Sequence, residues 1–143
     1  MSVAPPPFFT KLKPSGGDDT ARLQSVLTEA GNRTTGGTIW IDGRLKITAR
    51  LDYIPTVYGG VTVRGTRMMQ SGILVPAGSE GIDIFRVGSG NAATGVSAPR
   101  VEFLDLAIDS VNQKTGGIAI DMQNAGSSVA DNIRFTSQYD CFR

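Results

Sequence analysis

Ser15-Gly-Gly-Asp-Asp-Thr20, a short amphipathic segment, and then Gly36-Gly-Thr-Ile-Trp-Ile-Asp42 decide how this chain reads. The first stretch is a polar turn that ends in two helix-starting carboxylates. Asp18 or Asp19 can N-cap, because a side-chain oxygen there satisfies a backbone N–H that the first helical turn leaves free. Leu23, Val26, Leu27 and Ala30 follow at steps of three and four, which makes one apolar stripe. Gly31 or Asn32 supplies the stop. A stripe so narrow must cover another surface, and the nearest is the end of the sheet that opens after Gly36-Gly37.

From that glycine pair onward the chain turns to short runs: Thr38–Ile41, Leu45–Thr48, Val61–Arg64, Gly72–Val75, Ile82–Phe85, Val101–Ile108, Ile118–Asp121 and Ile133–Phe135. Each has strand length, and glycine, asparagine or serine punctuates nearly every gap, Asn112 and Asn124 among them. A sandwich would give similar spacing, so repetition decides. Gly81-Ile-Asp-Ile-Phe85 recurs as Gly117-Ile-Ala-Ile-Asp121, 36 residues on. Val63, Leu104 and Ile133 begin matching runs 41 and 29 residues apart. Unequal offsets suit a capped β-solenoid whose turns lengthen on the outside while its strands stay in register. This register predicts interior stacks of Val63, Leu104 and Ile133, of Ile82 with Ile118, and of Ile84 with Ile120. It also predicts an outward column of Arg64, Asp105 and Arg134, to be read either as a sugar-binding strip or as cross-strand charge pairing worth ~0.2–1 kcal/mol a pair.

Composition narrows the chemistry. With 143 residues the chain suits one domain, residues 18–143, preceded by an extended Pro-rich arm over residues 1–17 that carries Pro5, Pro6, Pro7 and Pro14. Fourteen basic residues against 13 acidic ones leave a charge of +1 with no run of one sign, so nucleic acid and anionic membrane drop from the list of partners. Cys141 is the only cysteine, which removes an intrachain disulfide and a Cys-based metal site and leaves a small interior residue. The absence of histidine removes Ser-His-Asp and Cys-His relays and His-ligated zinc. No metal or other cofactor is expected. Met1–Phe9 has no basic n-region and its apolar run is broken by prolines, so it does not read as a signal peptide. No stretch reaches ~18 unbroken apolar residues, so membrane insertion is not expected.

The quoted opening has a familiar form. Gly16-Gly-Asp-Asp-Thr-Ala-Arg-Leu-Gln-Ser-Val-Leu27, Gly36-Gly-Thr-Ile-Trp-Ile-Asp-Gly43, Leu45-Lys-Ile-Thr48 and Val61-Thr-Val-Arg-Gly-Thr66 resemble the start of right-handed parallel β-helix proteins of the pectate-lyase-like superfamily, as found in phage tailspikes and secreted polysaccharide lyases and hydrolases. The resemblance is closest over residues 16–66 and looser beyond. It implies an all-β chain, a right-handed parallel β-helix (solenoid) with an N-terminal capping α-helix. It also implies the structural and carbohydrate-recognition part of a tailspike-like protein, in a virion or secreted, bound to a surface polysaccharide and joined to other virion or tail proteins through the N-terminal arm. Two other roles fit that family: a polysaccharide lyase or glycoside hydrolase whose active coils lie beyond residue 143 or between subunits, and a non-catalytic virion adaptor or decoration protein. The family's coils run on to a C-terminal cap, whereas this chain holds three to four coils and stops at Tyr139–Arg143 in mid-coil. It is thus expected either to be the N-terminal part of a longer protein or to bury its end against a partner, most simply in a homotrimer.

Site assignments are sparse. No catalytic residue is assigned. Asp105 and Asp109 lie on the outer face of one expected strand, ~13 Å apart, too far for the two carboxyls of a glycosidase, and are assigned to sugar contact. Asp109 with Asp121, and Glu102 with Asp131, are alternative pairs that no motif fixes. Asp83, Asp121 and Lys114 are no better fixed as parts of a lyase. Gly88–Gly95 has glycines but not the Gly-Lys-Ser/Thr ending of a phosphate loop, and reads as an inter-strand loop. Of the aromatics, Tyr53 and Tyr58, in the loop around Pro55, are the expected exposed faces for sugar stacking. Trp40 alternates with Ile39 and Ile41 and is read either as a stacking face or as core under the helix.

Overall fold

The computed structural model describes residues 8–57, 59–68, 70–88, 100–123, 126 and 128–143, and in it the capping turn leads, as its sequence demands, into one helix, α1 (Thr20–Gly31). Asp19 is the N-cap residue by position, but its side chain makes no capping bond. Instead the Asp18 carboxylate accepts the Thr20 backbone N–H at 2.9 Å, while the buried Asp19 carboxylate pairs with Arg22 and accepts the Ser15 N–H. The helix ends at Asn32, whose N–H donates to the Glu29 carbonyl, while the Arg33 N–H donates to the Ala30 carbonyl. Leu23, Leu27 and Ala30 are fully buried, and Val26 packs partly against them.

The strands are β1 (Phe8–Leu12), β2 (Gly37–Ile41), β3 (Arg44–Lys46), β4 (Leu51–Tyr53), β5 (Val61–Gly65), β6 (Gly72–Val75), β7 (Phe85–Val87), β8 (Val101–Leu104), β9 (Ala107–Ser110), β10 (Ile118–Met122), β11 (Val129–Asp131), β12 (Arg134–Thr136) and β13 (Asp140–Phe142). They form three sheets, in the orders β1-β2-β5-β8-β11, β12-β9-β6-β3 and β13-β10-β7-β4, and every pairing is parallel. Inward side chains meet in columns across the strands: Ile39, Val63, Phe103 and Ala130 in the first sheet, Leu45, Ile73, Ile108 and Phe135 in the second, and Leu51, Phe85, Ile120 and Phe142 in the third. Apart from the members of the last strands, β11, β12 and β13, all of these are at most 2% exposed.

This arrangement corrects the expected class. The all-β, right-handed parallel β-helix read from the sequence gives way to an α/β-like set of parallel strands in three sheets, with the buried face of α1 part of the same core. Three further expectations move with it. Val101–Ile108 is not one strand: Asp105 adopts φ 57°, a left-handed backbone that Asp tolerates, and this corner sends β8 and β9 into different sheets. Val63 therefore stacks on Phe103 rather than Leu104, and Ile133 lies outside that column. In the third sheet Phe85 pairs with Ile120, one residue away from the match drawn between Ile84 and Ile120, so Ile82 does not stack on Ile118.

Of the N-terminal arm, Phe8–Leu12 is an extended strand paired along β2, while residues 1–7 lie outside the described residues. So do Asn124 and all of the Gly88–Gly95 loop except Gly88. Cys141 lies on β13 and is half-buried rather than interior. The two ends of the sheets are finished differently. At the α1 end, helix side chains take the place of another strand: Gln24 donates to the Asp52 carbonyl and accepts the Asp52 N–H, both at 2.8 Å, which satisfies the edge of β4. Thr20 Oγ1 accepts the Thr48 N–H, and the Asp19 N–H donates to the Lys46 carbonyl, which does the same for β3. Orphan edge groups are costly when covered without partners, so these bonds let α1 seat directly on the strands. At the other end β11, β12 and β13 are each the last strand of their sheet.

Candidate functional site

Two outward columns run across the five-stranded sheet. Phe9, Thr38, Thr62, Glu102 and Val129 form one; Lys11, Trp40, Arg64, Leu104 and Asp131 form the other. Alternation forces this, because Ile39, Ile41, Val63 and Phe103 are committed to the core and their neighbours must face out. Trp40 is thus an outer-face residue, not core under the helix, and the Arg64 guanidinium lies over its ring at 5.1 Å. Arg64 is held there by Asp105, which accepts its Nε–H at 3.0 Å, while Asn132 donates to the other Asp105 oxygen at 3.2 Å. Phe9 adds a second exposed ring, 65% accessible, at the β1 edge of the same face.

A polar groove of about 210 Å³ adjoins these columns, lined by Thr35, Gly36, Gly37, Thr38, Gly59, Gly60, Val61, Thr62, Arg100 and Glu102. Its glycine side exists because two turns touch. Gly36 has φ 71°, and a Cβ there would lie 2.4 Å from the Gly59 carbonyl oxygen, so a larger residue would part the turns. Arg100 and Glu102 pair at 3.0 Å on the opposite lip, with Arg100 largely exposed. The groove thus presents hydroxyls, a carboxylate and a guanidinium on the same sheet face as Trp40.

The residues assigned to sugar contact from sequence are not brought together. Tyr53 is 3% exposed, its ring against Gly31 and Pro55 beneath the end of α1, so it offers no open face. Its hydroxyl has no partner, and burial pushes its pKa up to about 12. Leu51–Tyr53 is a strand rather than the start of the Pro55 loop, and its alternation turns Tyr53 inward. Tyr58 lies outside the described residues. Asp105 does reach the outer face of the first sheet, as the anchor of Arg64. Asp109 sits on β9 in the second sheet, 8% exposed, bound by Arg44 and Arg134. Arg44 reaches it across β6 at Gly72, where a Cβ would lie 2.0 Å from the Ala107 carbonyl oxygen.

The expected Arg64–Asp105–Arg134 column is therefore divided. Arg64 keeps Asp105, and Arg134 belongs to Asp109. A longer ladder that sequence reading missed crosses the third sheet: Arg50 and Arg86 hold Asp52, and Arg143 holds Asp121 at 2.9 Å. Burial disfavours the Asp121 charge, yet bonds from Arg143 and Gln123 outweigh it and keep that carboxyl below its usual range. Thr20 and Thr48 do the same for Asp18, and Asn112 for Glu80. Among the other pairs considered, Glu102 lies in register with Val129 rather than Asp131. Lys114 is nearly fully buried and donates to the Ile82 carbonyl; desolvation lowers its pKa against the opposing pull of Asp83. Among the described residues, no three His, Cys, Asp or Glu side chains gather where they could hold a metal ion.

Comparison with known proteins adds no relative: no family model, no curated protein and no solved structure matches the chain. No helix among the described residues is long and apolar enough to cross a membrane.

Proposed function

We propose that this chain binds a carbohydrate along the outer face of its five-stranded sheet. The observation that carries the reading is the Trp40 ring, outward and topped by Arg64, next to the groove between Thr38, Thr62, Arg100 and Glu102. A sugar ring has an apolar C–H face that lies on an indole and a rim of hydroxyls that both donate and accept, which this mixture of ring, carboxylate, guanidinium and hydroxyl answers. The groove is smaller than the ~300–1,000 Å³ of drug-sized pockets and open on one side, which suits one unit of a chain running on over Trp40.

The wider role, a recognition part of a tailspike-like assembly, rests on the resemblance over residues 16–66. A catalytic reading lacks comparable support. The carboxyls with displaced pKa values, Asp18, Asp19, Glu80 and Asp121, are all displaced downward, whereas the acid of a glycosidase needs an upward shift. Titration calorimetry against a panel of bacterial capsular and lipopolysaccharide oligosaccharides tests the proposal. Trp40→Ala should weaken binding at least ~tenfold, as removal of a central aromatic anchor does, with the melting temperature followed as a control on folding. Binding unchanged by Trp40→Ala, or no binding across the panel, would overturn it.

A further inference from the structure

The outward rows of the five-stranded sheet run one step past the ends of β2 and β5. The Asp42 N–H donates to the Leu12 carbonyl and the Thr66 N–H to the Ile41 carbonyl, so Asp42 follows Thr38 and Trp40 on the outer face, with Thr66 beside it following Thr62 and Arg64. The groove between Thr38 and Thr62 lies at one end of these rows. At the other end is a second hollow, of about 310 Å³, lined by Asp42, Gly43, Arg67, Gln70 and Ser71. It exists because two neighbouring turns differ in length: Asp42 and Gly43 alone join β2 to β3, whereas Thr66–Ser71 joins β5 to β6. The longer turn is tied to the shorter at both ends, where Thr66 Oγ1 donates to Asp42 at 2.9 Å and Ser71 Oγ accepts the Gly43 N–H at 3.2 Å. Between those ties Arg67 and Gln70 are left exposed.

The two hollows differ in what they leave unsatisfied. On the lip of the groove Arg100 and Glu102 bind each other. In the second hollow the Arg67 guanidinium and the Gln70 side-chain amide make no hydrogen bond or ion pair among the described residues, and Thr66 engages only one of the Asp42 carboxylate oxygens. Free donors and acceptors side by side answer the adjacent hydroxyls of a sugar ring, each of which both donates and accepts. Across the strands the same rows lead instead to Leu104 and Val129, and Asp105 there is already held by Arg64 and Asn132.

We propose that the hollow at Asp42, Arg67 and Gln70 is a second subsite for the same carbohydrate, so that the bound chain lies along β2 and β5, from the groove past Trp40 to Arg67, and not across the strands. This path rests on the carbohydrate reading of the groove and adds to it a direction and a least length. Thr38 to Asp42 is ~13 Å of strand, more than a single sugar ring covers.

Calorimetry with size-graded fragments, disaccharide to octasaccharide, cut from the polysaccharide of the panel that binds the wild-type chain, reads the two subsites separately. The hexasaccharide should bind at least ~tenfold more tightly than the disaccharide, and Arg67→Ala should remove about that factor, the loss of one charge-assisted contact, while leaving disaccharide affinity unchanged. Trp40→Ala should weaken both fragments. Gln70→Ala should act as Arg67→Ala does, and because both side chains are exposed on a turn, the melting temperature of each variant should match the wild type. In amide NMR spectra the Gly43 and Ser71 signals should shift with the hexasaccharide and stay in place with the disaccharide. An affinity that does not rise with fragment length, or a hexasaccharide affinity indifferent to Arg67→Ala, would overturn the second subsite and leave the groove standing. A chain that binds no fragment would overturn both.

Discussion

Replacing Tyr53 by Phe tests the core at the point where the sequence reading and the structure differ most. The hydroxyl is buried without a hydrogen-bond partner. A buried polar group in that state costs about 1–3 kcal/mol, so deleting one oxygen from an otherwise unchanged ring should raise stability at pH 7 by about 1 kcal/mol once the small void is allowed for. The pH dependence gives a second, independent reading. Burial raises the Tyr53 pKa in the folded state to about 12, against about 10 in the unfolded chain. The folded protein thus holds a proton that the unfolded chain releases between these values. Stability from this group is fully present below pH 10 and is lost as pH rises through 12. A shift of two units corresponds to roughly 2–3 kcal/mol at most. Tyr53→Phe should abolish that loss, so its advantage over the wild type should widen steadily from pH 10 to pH 12. Urea unfolding followed by fluorescence of Trp40, the only tryptophan, measures both at pH 7, 9, 10, 11 and 12, and the titration of Lys and Arg cancels in the difference. A loss of more than 1 kcal/mol at pH 7 would show that the hydroxyl has a partner. A flat difference across the alkaline range would show that Tyr53 ionises as freely folded as unfolded, and the burial argument would fail.

Three other outcomes follow from contacts described above. Gly72→Ala should destabilise by about 2–4 kcal/mol in urea unfolding, since its Cβ would lie 2.0 Å from the Ala107 carbonyl oxygen and β6 and β9 would have to part. Gln24→Ala removes both bonds by which α1 finishes the edge of β4, and should cost about 2 kcal/mol, with faster amide exchange at Asp52 as the local sign. Asp121→Asn should lower stability at neutral pH, and its gap from the wild type should close as pH falls below the usual carboxylate range near 4. This is because the lowered folded pKa of Asp121 supplies stability above its unfolded value and loses it as pH falls through the folded one.

The helix and most of the strands were legible because their signals are local. The stripe of Leu23, Leu27 and Ala30 places α1 within its observed bounds, and the alternation in Thr38–Ile41 and Val61–Arg64 places β2 and β5. Strands β1, β4, β11 and β13 were missed. β4, β11 and β13 have three residues each, β1 follows the proline run, and all four are held by partners far along the chain. The candidate site was half legible. Alternation with Ile39 and Ile41 was enough to put Trp40 and Thr38 on one face, but not to say which face meets solvent.

The amino-acid sequence by itself determined the helix and the strands with strong local alternation, where glycines break them, that no histidine or cysteine pair can carry chemistry, and that charge is balanced. Those properties depend on residue identity and on spacings of two, three and four, which a chain carries with it whatever its neighbours. Only the tertiary structure decided the register between strands, the class of the fold, the burial of Tyr53, and the partners of Asp105 and Asp109. A side-chain period of two leaves registers two residues apart equally plausible from pattern alone and does not show where a run turns a corner; that falls to the left-handed backbone at Asp105 and to which large side chains fit on one another inside.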